Sequence, residues 1–321
     1  MGWYRAHQGQ LSHSLNALYR SLGLSKQAVW AHFKREQQQL ELIARLIPRV
    51  DQRRTEHPGE GLEKLYWQLA PAGLGRDAFC RVFKQLGYGV GRQPNPIRTT
   101  LPVHTIFKNL VEGRWVDGPG QVWQSDITYI KVGEQFYYLT FIIDVYTRRI
   151  VGWAASRTLQ AKANVRALKR ALDAYGPQQL AGLIHHSDRG SQYSSHRYLQ
   201  LLRHHKVAIS MGDTASDNAF AERINGIIKG EYLQRWPLKD LRQLRGKTKR
   251  AVADYNGIRH HGALNRRSPE HFERDWRRLS PAQRPGQHIR SLQTPSFLEA
   301  GLQKARVDHQ PQYPYCVYEA R

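Results

Sequence analysis

The pattern of apolar and polar positions changes character once along the chain. In residues 12–35, SHSLNALYRSLGLSKQAVWAHFKR, Leu15, Leu18, Tyr19 and Leu22 recur at helical spacing. Gly23 stands where that helix must stop, and Ser25 can cap a second one. The pattern predicts helix, tight turn, helix. Residues 36–56 continue as a charged, Gln-rich helix that Pro48 should end or bend. Residues 60–90 repeat the outline: EGLEKLYWQLA, a PAGLG turn, then RDAFCRVFKQLGY, with Cys80 on the apolar side. Residues 91–118 are rich in Pro and Gly and read as a linker.

From residue 122 the texture turns to strands. VWQSDITYIKV (122–132) alternates. QFYYLTFIIDVYTRRIVGWAAS (135–156) supplies two more strands around a turn near Tyr146–Arg149, so a three-strand antiparallel meander is predicted. An amphipathic helix (161–176), a strand (180–188), a helix (194–206), a strand (207–211) and a helix capped by Asp217 (217–233) follow. Strands alternating with helices imply an α/β fold, a mixed sheet covered by helices.

Charge narrows the partners. The formal net charge is +23. Residues 1–118 carry a net +8, residues 119–234 a net +5 and residues 235–321 a net +10. A field of that sign attracts polyanions, nucleic acid before a membrane surface. No apolar run is long enough to span a bilayer, and MGWYRAHQGQ lacks the apolar core of a signal peptide. Two distant cysteines build neither a disulfide framework nor a zinc site, which suits a reducing cytosol. In this setting the first helical pair reads as a helix-turn-helix whose second helix enters a major groove, with Lys26, Gln27, Trp30 and Lys34 on or near the reading face. A helical hairpin that only packs would share the pattern.

The acids supply candidate chemistry. Asp126 lies within the first strand, where Asp is depleted. Asp188 ends the fourth strand, in HHSDRGSQYSS, although Asp-Arg-Gly-Ser is also ordinary turn chemistry. Glu222 lies one turn into the last helix. If the fourth strand lies beside the first, two carboxylates end side by side and the helix can bring the third. Three carboxylates at one point repel unless a cation sits among them. Oxygen-only ligands suit Mg²⁺ or Mn²⁺, and a pair of such ions serves in-line displacement at phosphorus. Asp144 reads as a turn residue, Asp217 as a cap, Asp213 as a loop residue and Glu231 as pointing away from Glu222.

The stretches VWQSDITYI, IHHSDRGSQYSS and DNAFAERINGIIKGEYL resemble the three signatures of an integrase catalytic core. They resemble most the DDE transposases of two-frame bacterial insertion sequences, in the protein of the second frame. YNGIRHHGALNRRSPEHF (255–272) resembles that group's extension of the core. The resemblance implies an RNase H-like core at 118–275 behind two helical DNA-binding modules, 1–57 and 58–117, with a basic tail at 276–321. It implies Asp126, Asp188 and Glu222 as catalytic metal ligands, with Mg²⁺ or Mn²⁺, two ions, as cofactor. His186, Asn218 and Gln192 would orient them. Lys229, seven residues past Glu222, would hold DNA, as would Arg259 and His260. Double-stranded DNA, further copies of the chain and the upstream-frame protein are the implied partners, and the bacterial cytoplasm, at the nucleoid, the implied location. One departure is a loop, MGDTAS (211–216), about two residues shorter than usual. An RNase H-like nuclease without joining, or a helix-turn-helix regulator with an inactive core, are the rival expectations.

Overall fold

The computed structural model describes residues 15–21, 23–91, 107–212 and 215–289. The aromatic-rich end QPQYPYCVYEAR, most of the predicted linker and Asp213 lie outside the described residues.

Two helices, α1 (Leu15–Ser21) and α2 (Lys26–Glu56), open the described chain. Gly23 between them takes φ +65°, a left-handed turn that glycine adopts without strain. The Ser25 hydroxyl accepts from Ala28 N at 3.0 Å and starts α2. Pro48 does not end the helix: α2 runs through it for 31 residues. A helix-interior proline costs ~3 kcal/mol or more. Apolar packing on both sides of it offsets that cost. Leu46 and Val50 are buried against Leu65, Leu74, Phe79 and Phe83. Leu65 comes from α3 (Leu62–Leu69), Phe79 and Phe83 from α4 (Arg76–Gln85) and Leu74 from the turn between them, so the two predicted helical modules share one small core.

The larger unit is a five-stranded sheet of β2 (Val122–Val132), β3 (Gln135–Asp144), β4 (Ile150–Ser156), β5 (Ile184–Ser187) and β6 (Ala208–Met211). Their order is β4-β3-β2-β5-β6. The first three are antiparallel, whereas β5 and β6 run parallel to β2. This is the mixed RNase H-like sheet. Helices α5 (Lys162–Asp173) and α6 (His196–His204) cover one face with Trp123 and Ile142. The other face carries α7 (Ala219–Ile227), a π-helical turn Ile228–Leu233, and α8 (Leu241–Gly257), packed on Leu139, Phe141 and Ile143. Asp144 is buried and accepts from Gly120 N, Thr147 N and the Thr147 hydroxyl at 2.7–3.0 Å, which makes it the turn residue it was expected to be.

The boundary drawn at 275/276 falls inside the last helix, α9 (Pro269–Arg278). Trp276 explains why. Its indole donates to Asp117 O at 2.9 Å and its ring meets Tyr146 edge-on. Beyond it β7 (Gln287–His288) pairs with β1 (Trp115–Val116). The N-terminal helices dock on this unit through Arg53. Its guanidinium pairs with Asp254 of α8 and, at 2.8 Å, with Glu60. Among the described residues no helix is long and apolar enough to cross a membrane.

Candidate active site

The register of the sheet brings the first two acids together. In the parallel pair β2–β5, Ser125 stands opposite Ser187, so Asp126 within β2 and Asp188 just past the end of β5 come at the next position. Side chains alternate between faces along a strand. Trp123 and Ser125 therefore face α5 and α6, and Gln124 and Asp126 face α7.

Helix α7 is tied to β2 at three points. Gln124 accepts from Phe220 N at 3.1 Å and Ala221 N at 3.4 Å, and donates to Asp217 O at 2.9 Å. Asn218 donates to Ser125 O at 2.9 Å. Asn225 donates to the Asp126 carboxylate at 2.7 Å. The expected cap, Asp217, does not cap the helix. A short 3-10 turn (Ala215–Asn218) precedes α7, and the strand side chain Gln124 satisfies its first amides instead. Glu222, in the first turn of α7, is exposed at the mouth of the site.

The electrostatics follow from this packing. Burial pushes the half-buried Asp126 carboxyl up to about 7, and Asp188 and Glu222 add to the rise through their charges. The amides of Ile127 and Asn225 oppose it. Burial also raises Asp188, against a hydrogen bond from Gly190 N at 3.1 Å. Thus Asp126 senses the charges of both other acids. Among the described residues, though, no three His, Cys, Asp or Glu side chains are drawn together tightly enough to ligate one ion.

His186 is buried, with Nδ1 at 2.8 Å from the Ser210 hydroxyl. Burial lowers it to about 4, so it is neutral at pH 7. Gln192 is half-buried beside the Asp188 loop, its amide oxygen near Gly190. Asn218 is buried, with its amide oxygen unpartnered.

The expected DNA contacts divide. Lys26, Gln27, Trp30 and Lys34 are all exposed on the first half of α2. Arg259 is not a surface grip: it is 4% exposed and bidentate to Glu231, at 2.7 Å on each oxygen. Glu231 also takes His57 at 2.8 Å and Lys64 at 3.1 Å. Lys229 is 6% exposed, its ammonium 4.7 Å over the Tyr129 ring. The helix continues from Ile228 as a π turn, with Lys229 in its first part. His260 is half-buried behind them.

Sequence reading missed Gln124 and Asn225. Asn225 carried a signal: it stands three residues from Glu222, one helical turn away on the same side of α7. Gln124 carried the same kind, two residues before Asp126 on one strand face.

Comparison with known proteins settles the family. The integrase core domain matches residues 116–217, and a second integrase core domain description matches residues 205–269. The transposase for insertion sequence element IS629 of Shigella sonnei is 34% identical over 209 residues, covering 63% of this chain and 70% of that protein. This chain belongs to the insertion-sequence transposases of the integrase superfamily. The insertion element IS600 uncharacterized 31 kDa protein of Shigella sonnei is 32% identical, over 68% of this chain and 83% of that one. Transposase InsF for insertion sequence IS3A of Escherichia coli K12 is 32% identical, over 52% and 59%. Among solved structures, the HTLV-2 integrase catalytic core domain in complex with magnesium aligns with a TM-score of 0.39 at 18% identity, over 52% of this transposase and 99% of that chain.

As a transposase the chain is an enzyme that acts on DNA, a polynucleotidyl transferase, and the family implies a divalent metal. The residues fit one. The donors are all carboxylate oxygens, the hard ligands that Mg²⁺ and Mn²⁺ take. Beside them the buried Asn225 amide oxygen has no partner, as a group beside a hydrated ion would.

Proposed function

We propose that Asp126, Asp188 and Glu222 are the catalytic carboxylates of this transposase and would hold two Mg²⁺ or Mn²⁺ ions between them. The adjacency of Asp126 and Asp188 across β2–β5 carries this reading, with Asp126 raised by both other acids. When bound, such ions activate the attacking oxygen and stabilise the leaving one. The protein's part is to place the ligands. Asn225 fixes one Asp126 oxygen, Gln124 and Asn218 fix the start of α7, and α7 carries Glu222 to the rim.

One site of this kind serves two in-line displacements at phosphorus. Water first exposes a 3′-hydroxyl at an element end by breaking a phosphodiester. That hydroxyl then displaces the oxygen of a target phosphodiester. Each step exchanges one P–O bond for another, so no covalent protein–DNA intermediate is needed. The exposed half of α2, with Lys26, Gln27, Trp30 and Lys34, suits recognition of the element ends. Joining two ends calls for at least two copies on the DNA, and the upstream-frame protein is the proposed partner for end binding. Work on the bacterial chromosome puts it in the cytoplasm, at the nucleoid.

The test is end joining in cells. The protein is expressed, with and without the upstream frame, beside a plasmid bearing the element's own ends, and abutted-end junctions are amplified. Junctions from wild type that vanish in Asp188→Asn and in Glu222→Gln support the reading. Junctions that persist in either variant remove that residue from the site. Cut ends without junctions would make the protein a nuclease only.

A further inference from the structure

Strand β4 is an edge of the main sheet, paired only with β3. An edge normally offers free backbone groups. Here arginines from both layers cover it. Arg170 of α5 donates to Trp153 O at 2.7 Å, and Arg245 of α8 reaches Ala155 O at 3.4 Å. The two helices lie on opposite faces of the sheet, yet both guanidiniums reach carbonyls of the same strand.

The flanking chain contains no acid to neutralise them. Between Asp144 and Asp173 stand seven Lys or Arg and no Asp or Glu; between Asp240 and Asp254 stand five and none. On α8, Arg242, Arg245 and Lys249 fall at i, i+3 and i+7, one exposed stripe. On α5, Arg166 and Lys169 are exposed as well. Among the described residues no hydrogen bond or ion pair engages Arg166, Lys169, Arg242 or Lys249. Gly246 lies within the α8 stripe, and nothing stands within 4 Å of where its Cβ would be. Glycine in an exposed helix interior costs ~1 kcal/mol against alanine. Its local effect is a flat spot among the cations, where a backbone can approach closely.

The position is apt. Asp126 stands opposite Phe141, and Phe141 opposite Trp153. The basic edge is therefore two strand spacings, ~10 Å, from Asp126. The major groove of a duplex is ~12 Å wide, so a strand at Asp126 brings the strand across the groove over β4.

We infer that the face formed by α5, the β4 edge and the α8 stripe binds the phosphate backbone of the target duplex. This rests on the strand-transfer reading above. Long exposed cations hold phosphates and read no bases, which suits a target taken without regard to sequence and not an element end that must be recognised.

The test is binding of a random-sequence duplex by the full chain across a salt series, read by fluorescence anisotropy. Each lost phosphate contact lowers the slope of log affinity against log salt by about 0.9. The triple variant Arg166→Ala/Arg242→Ala/Lys249→Ala is expected to lose about 2.7 of that slope. Lys131→Ala/Arg203→Ala/Lys206→Ala, three cations exposed elsewhere, serves as the control. An unchanged slope, an equal loss in the control, or a loss seen only with an element-end duplex overturns the inference. Asp126→Asn should keep the full slope. If the slope falls as expected but wild type joins no ends, the surface stands and the catalytic reading fails. If wild type joins ends and the slope does not fall, the surface fails alone.

Discussion

The Asn225 amide donates to the Asp126 carboxylate at 2.7 Å, across from strand β2 to helix α7. One hydrogen bond thus links the strand acid to the helix that carries Glu222, three residues earlier. Partners of this kind around metal ligands typically contribute 10–100-fold in metal affinity or activity. Asn225→Ala should therefore raise the Mg²⁺ concentration needed for half-maximal strand transfer by about 10-fold or more. Asn225→Asp should be worse, since it sets a like charge against a carboxyl already pushed up to about 7. A metal titration of each variant checks this, and an unshifted midpoint in both would remove Asn225 from the site.

Gln124 closes the start of α7 from the neighbouring strand. Gln124→Leu would leave Phe220 N and Ala221 N without their side-chain acceptor. A buried donor left unpaired costs about 1–3 kcal/mol. Urea unfolding should show a loss in that range, and strand transfer should fall further than global stability explains, because Glu222 sits on the freed turn. Wild-type stability and activity together would contradict the assignment.

The Arg259–Glu231 pair separates a structural role from a DNA-gripping one. Breaking a buried pair typically costs about 3–5 kcal/mol, and Glu231 is partly exposed, so Arg259→Gln should cost less, about 2 kcal/mol. Burial raises Glu231, but hydrogen bonds from Arg259 and His57 overcome it and hold the carboxyl well below its usual range. The salt slope of DNA binding should be unchanged in Arg259→Gln. A lower slope with intact stability would restore Arg259 to the DNA surface.

His185 predicts acid sensitivity. Its ring is buried, with Nε2 at 2.9 Å from the Tyr198 hydroxyl, and burial lowers it from 6.5 to about 3. The unfolded chain therefore binds a proton below about pH 6.5 that the folded chain refuses. Stability from this group is complete above that value and falls as pH drops toward 3. Each unit is about 1.4 kcal/mol, so the loss by pH 4 is on the order of 3 kcal/mol. His185→Gln should flatten the fall in unfolding free energy between pH 7 and pH 4; an equally steep fall would rule His185 out as its source.

Much of this was legible in the chain. The alternation of VWQSDITYIKV and the short apolar runs located the strands, because strand period and burial are written directly in side-chain type. Asp126 and Asp188 were legible as acids where acids are rare. What failed depended on distant contacts. Pro48 lies inside a helix because Leu46 and Val50 pack on residues of α3 and α4. Lys229 and Arg259 looked like surface cations, but Lys229 packs over Tyr129 and Glu231 holds Arg259 inside. The cap of α7 comes from a strand residue nearly a hundred positions away. No local pattern encodes such a partner.

The most direct test of the central claim is strand transfer in vitro. A duplex ending in an exposed 3′-hydroxyl at the element terminus is incubated with plasmid, Mg²⁺ and the full-length protein, with the upstream-frame protein added in a parallel series. Products are compared for wild type, Asp126→Asn, Asp188→Asn and Glu222→Gln. Metal-ion catalysis supplies several kcal/mol, so each single variant should lose on the order of 10³-fold in joining rate while still binding the duplex. Joining at near wild-type rate by any of the three would contradict the three-carboxylate site.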